Sequence, residues 1–160
     1  MSKDAITERG KALDKLLRTH RKLATERTEA EWNSGTGETL WKPERDAVHR
    51  QIVEDLYSAA QDVPNEGRSI VMGGPAGAGK TTTVRDHAGI DLDRYLIINP
   101  DDIKEELAAR GLVPEITGHP ELSPMERSSL VHAEAMRISQ MLARRAYADR
   151  KNVVWDITMG

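Results

Sequence analysis

"VMGGPAGAGKTT", residues 71–82, places four glycines and one proline between a short apolar run and a Lys-Thr pair. A stretch with so few side chains adds little to a core, so its use must lie in what its backbone can reach. Within it, Gly74 to Thr81 satisfies the pattern G-x-x-x-x-G-K-[ST] at every fixed position. That pattern carries meaning only between a strand and a helix. The flanks supply this context, since "SIVM" (69–72) reads as a buried strand and residues 79–88 as a helix. Glycines let the chain turn successive N–H groups inward and touch phosphate oxygens, while the following helix points its positive end at the same place. Gly74, Pro75, Ala76, Gly77, Ala78, Gly79, Lys80, Thr81 and Thr82 are therefore the expected nucleotide-binding residues. Lys80 would meet the β and γ phosphates, and the Thr81 hydroxyl would serve a Mg2+ ion. A plain flexible turn ahead of a helix would need neither the Lys-Thr pair nor both flanking elements. ATP is the simplest nucleotide, because no segment looks built to read guanine; GTP stays open.

The whole chain has 160 residues, 38% hydrophobic and 31% charged, which fits one ordinary globular domain. There are 23 Lys and Arg against 26 Asp and Glu, a formal net charge of −3, so nothing points to nucleic acid bound through bulk positive charge. Cysteine is absent, which removes disulfides and thiolate metal sites. No run of about 18 apolar residues occurs, and the start "MSKDAITERGK" lacks the apolar core of a secretion signal. The expectation is a cytoplasmic protein with no nucleic-acid or membrane partner. Phenylalanine is also missing, leaving Val, Ile, Leu, Met and Ala to build the core.

Working outward from the glycine loop, "YLII" (95–98) and "NVVW" (152–155) read as two further strands. "DIKEELAARG" reads as a capped helix ending at Gly111, and a long helix is expected from about Met125 to Asp149. Short apolar strands alternating with helices predict an α/β fold of the P-loop type, a parallel sheet flanked by helices. In such sheets ligands bind at the carboxyl ends of the strands, which directs attention to Gly73 onward, Asn99 to Asp102, and Asp156 to Thr158. Before the core, residues 4–30 carry Ile6, Leu13, Leu16, Leu17 and Leu23 near helical spacing. "NSGTGET" (33–39) reads as a loop, and Pro43 opens a helix with Val48, Ile52, Leu56 and Ala60 repeating every four. The expected organisation is a helical N-terminal extension over 1–62 and a P-loop core over 63–160.

Two of the strand ends carry acids. In "INPDDIKEE" (98–106), Asp102 lies three residues before Glu105 and fits an N-cap with a capping-box partner, leaving Asp101 as the spare acid. A carboxylate beside the nucleotide can accept the proton of an attacking hydroxyl. The reverse assignment, Asp101 as cap and Asp102 solvated, is equally compatible with the residues. Asp156, ending "NVVW", suits a strand-end acid holding Mg2+ or its waters, a substrate contact, or a turn residue; Thr158 suits a substrate bond or a turn cap. Glu134 lies at the margin of the stripe Val131, Ala135, Ile138 and Leu142, where its ordinary explanation is a partner such as Arg137 or a solvated edge. His119 and His132 lack ligand spacing, and Trp32, Trp41 and Trp155 read as packing residues.

Taken together, "PERDAVHRQIV", "MGGPAGAGKTT", "INPDDIK", "HAEA" at the head of a long helix and "NVVWDIT" resemble the zeta toxin family of P-loop kinases over about residues 40–160. The glycine loop is the specific piece; the others count by order and spacing. The resemblance implies transfer of the ATP γ-phosphate to a sugar nucleotide, UDP-N-acetylglucosamine in the characterised type, by a toxin of a toxin-antitoxin system. It implies Lys80 and Thr81 at the nucleotide and Mg2+, Asp101 as base, and Glu134, Asp156 and Thr158 along the substrate side. It also implies a small helical antitoxin as partner, a part that residues 4–62 could play from within the chain. One departure stands out: such kinases neutralise phosphate with arginines from a lid after the third strand, and no residue here holds that position. The chain is thus expected to be the N-terminal and central portion of a larger kinase, with an incomplete sheet. Other acceptors, such as an antibiotic, a nucleoside or a nicotinamide dinucleotide, and a catalytically inactive nucleotide-binding module are the competing readings.

Overall fold

The computed structural model describes residues 3–20, 27–33, 38–74, 86 and 88–158, and the side chains of 27–33, 38, 39 and 158 fall outside that description. The chain opens with helix α1 (Lys3–Thr19), strand β1 (Arg27–Asn33), strand β2 (Glu38–Trp41) and helix α2 (Pro43–Ala59). Strand β3 (Ser69–Gly74), a 3-10 turn (Leu92–Arg94), strand β4 (Leu96–Ile98) and helix α3 (Pro100–Ala109) follow. A second 3-10 turn (Ser128–Val131) leads into helix α4 (His132–Ala148), and strand β5 (Val153–Thr158) ends the series. By contact density the chain divides into two units, residues 1–45 with 104–134, and residues 46–103 with 135–160. No helix of the described residues is long and apolar enough to cross a membrane.

The second unit holds the three expected strands as one parallel sheet in the order β3-β5-β4. The α/β class and the parallel pairing predicted from the alternating pattern are therefore correct. Val153 pairs with Ser69 on one side and Leu96 on the other, and Trp155 with Val71 and Ile98. The central strand is covered on both faces, as its apolar run requires: Val153 and Val154 have no exposed surface. On one face Met72 and Val154 pack with Leu92, joined by Ile70, Ile90 and Tyr95.

Helices α2 and α4 meet within this unit through Arg145, which stands over the Tyr57 ring at 4.7 Å, and through Arg137, which bonds Asp46 and the His49 Nδ1. Arg50 first and Arg137 second hold the Asp46 carboxyl below its ordinary range. Buried Lys151 donates to the Ala60 and Val63 carbonyls at 3.0 and 3.1 Å, placing a cation at the carbonyl end of α2 where the helix dipole favours it. Helix α4 is closed just past its end by Arg150, whose φ of 57° lets Lys151 N–H reach the Ala146 carbonyl and Arg150 N–H the Tyr147 carbonyl, a Schellman closure made without glycine.

Four expectations need correction or fall outside the described residues. The apolar spacing over 4–30 predicted helix, but α1 stops at Thr19 and residues 27–33 pair with 38–41 as an antiparallel hairpin. That pairing also converts the ends of the expected 33–39 loop into strand; positions 34–37 are outside the description. The long helix begins at His132 rather than near Met125. Ser123 and Glu126 do form a reciprocal capping box, with Glu126 N–H to Ser123 Oγ at 3.3 Å and Ser123 N–H to Glu126 Oε2 at 2.9 Å. The turn they open tightens to 3-10 before the α-helix takes over. The helix expected over 79–88 lies almost wholly outside the described residues.

Candidate functional site

Because β3, β4 and β5 are parallel, their carboxyl ends share one edge of the sheet. That edge brings together Gly74, the segment Asn99–Asp101 and Asp156, as the strand-end rule predicted. Gly74 is paired with Thr158 across the β3–β5 ladder and is buried, with φ of 150°. A side chain at that angle is strained, so the first fixed glycine of the loop motif is required by its own backbone before any ligand is considered. Replacing Gly74 with Ala should cost about 1–3 kcal/mol, read as a lowered midpoint in urea unfolding; an unchanged midpoint would show that β3 does not need this angle. Pro75, Ala76, Gly77, Ala78, Gly79, Lys80, Thr81 and Thr82 lie outside the described residues.

Helix α3 starts two residues earlier than the Asp101 cap assignment allowed and three earlier than the Asp102 one. Its cap is Asn99, whose Oδ1 accepts from Asp101 N–H at 2.9 Å while its carbonyl accepts from Ile103 N–H at 3.3 Å. Pro100 then occupies the first helical position, where the missing N–H costs nothing. Neither Asp101 nor Asp102 is the cap: both stand in the first turn, Asp101 half-buried and Asp102 exposed. The other end of the Asn99 amide, Nδ2, donates to Asp156 Oδ2 at 3.2 Å. One side chain therefore fixes the helix start that carries Asp101 and orients the acid of the neighbouring strand. Asn99 is the residue that sequence reasoning missed here, and the Asn-Pro pair was the available signal.

The oxygen donors along this edge have the chemistry of a Mg2+ site, a hard cation that takes one or two carboxylates and leaves its other positions to water and phosphate. Among the described residues no group of three or more His, Cys, Asp or Glu is arranged to hold a metal by itself. A site completed by Asp156 and a loop hydroxyl is compatible with both facts.

Glu134 lies in the first unit and differs from expectation in burial and in partner. It has no exposed surface, and its carboxylate is bound side-on by Arg45, with Nε to Oε1 at 2.5 Å and Nη2 to Oε2 at 3.1 Å. Arg137, the partner suggested by sequence spacing, belongs instead to Asp46. Arg45 also donates to the Leu112 carbonyl at 2.6 Å, just past the Gly111 turn that closes α3. Gly111, at φ 69°, makes that turn possible: its N–H bonds the Ala108 carbonyl, and Leu112 N–H bonds the Leu107 carbonyl. Eighty-nine residues separate Arg45 from Glu134, a distance at which no periodicity argument operates.

The model of the family described as zeta toxin matches residues 54–160, which contain the glycine motif, Asp101, Glu134 and Asp156. No curated protein and no solved structure matches the chain. With the larger part of its length covered by that match, the chain belongs to the zeta toxin family of P-loop kinase-like proteins.

Proposed function

We propose that this protein is an ATP- and Mg2+-dependent small-molecule kinase that transfers the γ-phosphate to a hydroxyl of a sugar nucleotide, UDP-N-acetylglucosamine being the first acceptor to test. The observation that supports this reading most is the shared sheet edge, where a glycine locked at φ 150° opens a complete phosphate-loop motif beside Asp101 and Asp156. In this reading Gly74 to Thr82 wrap the phosphates through backbone N–H groups, and Lys80 neutralises them. Asp101 takes the proton of the acceptor hydroxyl as it attacks. Thr81 and Asp156 hold the metal, which when bound screens the charge of the phosphates. Glu134 and Thr158 are assigned to the acceptor side, and Arg45 holds the Glu134 carboxylate in one orientation.

Residues 63–160 are proposed as the kinase core and 1–62 as its extension, acting in the cytoplasm as the toxin of a toxin-antitoxin pair whose antitoxin is a small helical protein. The test is nucleotide binding followed by acceptor choice. A fluorescent ATP analogue with Mg2+ should bind the protein and lose at least tenfold in affinity in Lys80→Ala, since a buried charge-assisted contact to phosphate is worth about 1.5–3 kcal/mol. Equal affinity in the two proteins would contradict the assignment of the loop. Label on an antibiotic, nucleoside or nicotinamide dinucleotide instead of a sugar nucleotide would move the acceptor class and leave the kinase reading standing.

A further inference from the structure

Helix α3 and the capping box at Ser123 are joined by a loop that encloses a pocket of about 400 Å3, lined by Glu115, Ile116, Thr117, His119, Leu122 and Arg127 among others, within the first unit. That volume falls within the range of small-molecule sites, about 300–1,000 Å3. Two successive turns shape it. His119 N–H bonds the Ile116 carbonyl at 3.0 Å, with Gly118 at φ 86° in the turn, and Leu122 N–H bonds the His119 carbonyl at 3.3 Å.

Arg127 is the unusual member. Only 5% of the residue is exposed, yet the partners of its guanidinium among the described residues are backbone carbonyls: Leu122 at 3.3 Å, Val113 at 3.1 Å, and Pro114. Burial of a cation is costly unless an anion compensates it, and carbonyl dipoles supply only part of that compensation. Two neighbouring acids are committed elsewhere: Glu126 bonds Ser123 and Arg9, and Glu121 bonds His119. Both carboxyls are held below their ordinary range, Glu126 chiefly by the Ser123 N–H and Glu121 chiefly by its own backbone N–H. The pocket therefore offers a fixed, incompletely compensated guanidinium, a hydroxyl from Thr117, an imidazole from His119 and an apolar wall from Ile116 and Leu122.

We propose that this pocket binds a small molecule through an anionic oxygen group, a phosphate or a carboxylate, received by Arg127 with Thr117 and His119 beside it. None of the pocket's lining residues belongs to the glycine motif, so the inference does not depend on the kinase assignment. Glu115 lines the same pocket and repels the anion, setting a modest affinity.

The test is an amide NMR titration of the full chain carrying Lys80→Ala, which removes the loop lysine as a competing phosphate ligand, with inorganic phosphate and acetate in separate arms. Saturable shifts at Thr117 to His119 are expected in at least one arm, and the arm that saturates names the head group. Thr117→Val should weaken binding severalfold, and Glu115→Gln should tighten it about two- to fivefold, the scale of one partly solvated charge contact. Arg127→Lys, which keeps the charge but not the fork, should also weaken it. The two variants at Glu115 and Thr117 keep the result readable even where Arg127→Lys unfolds. Linear, unsaturated drift in both arms, or saturation indifferent to Glu115→Gln and Thr117→Val, would overturn the proposal.

Discussion

Arg45→Ala should unfold at a markedly lower denaturant concentration than the parent, with a loss of about 3–5 kcal/mol, because removing one partner of a buried pair strands the other charge. Glu134 is wholly inaccessible and accepts two hydrogen bonds from Arg45, so water cannot replace the guanidinium without opening the packing around α4. The Leu112 carbonyl would lose its partner in the same step. A second variant separates the cost of a stranded charge from the worth of the pair. Arg45→Met with Glu134→Leu should regain most of the lost stability, since apolar replacement of both partners is often neutral or better. If Arg45→Ala matched the parent in urea unfolding, the ion pair would be an incidental contact. If Glu134 also serves the acceptor, the double variant regains stability while transfer stays impaired, a separation that a purely structural pair would not produce.

Asp101→Asn should leave the protein folded and able to bind nucleotide, yet slow phosphoryl transfer by about 10^2–10^4-fold, the usual contribution of a positioned proton acceptor. The substitution keeps shape and removes only the charge. The cap of α3 is untouched, because it is made by Asn99 to the Asp101 backbone N–H and not by the Asp101 side chain. Loss of a negative charge from the first turn of a helix costs about 0.3–1 kcal/mol, too little to explain a large fall in rate. A variant whose stability and transfer rate both match the parent would remove Asp101 from the chemistry.

The difference between these residues also explains what the sequence could and could not disclose. The start of the glycine motif is legible because its meaning is local: the apolar run before it predicts a strand, and Gly74 ends β3 at the sheet edge. The parallel sheet is legible for a similar reason, as runs such as "NVVW" are apolar on both faces and suit only a covered strand. The helix start at α3 was misread because "NPDD" offers three Asx residues, and only Pro100, which favours the first helical position, separates them. The hairpin was hidden by charge. Thr28, Ala30 and Trp32 alternate with Arg27, Glu29, Glu31 and Asn33, a period-two signal that the longer apolar spacing from Ile6 to Leu23 drew into a helix. Arg45 with Glu134, and Arg127 with the carbonyls of Val113 and Pro114, depend on tertiary packing, which no window along the chain contains.

The most direct measurement of the central claim is transfer of labelled γ-phosphate from ATP, with Mg2+, to a panel of sugar nucleotides by the parent protein and by Asp101→Asn. The account predicts label on a sugar-nucleotide hydroxyl, formed by the parent and reduced at least a hundredfold in the variant while both bind ATP alike. Bound ATP with no label on any acceptor, or equal transfer by the two proteins, would contradict it.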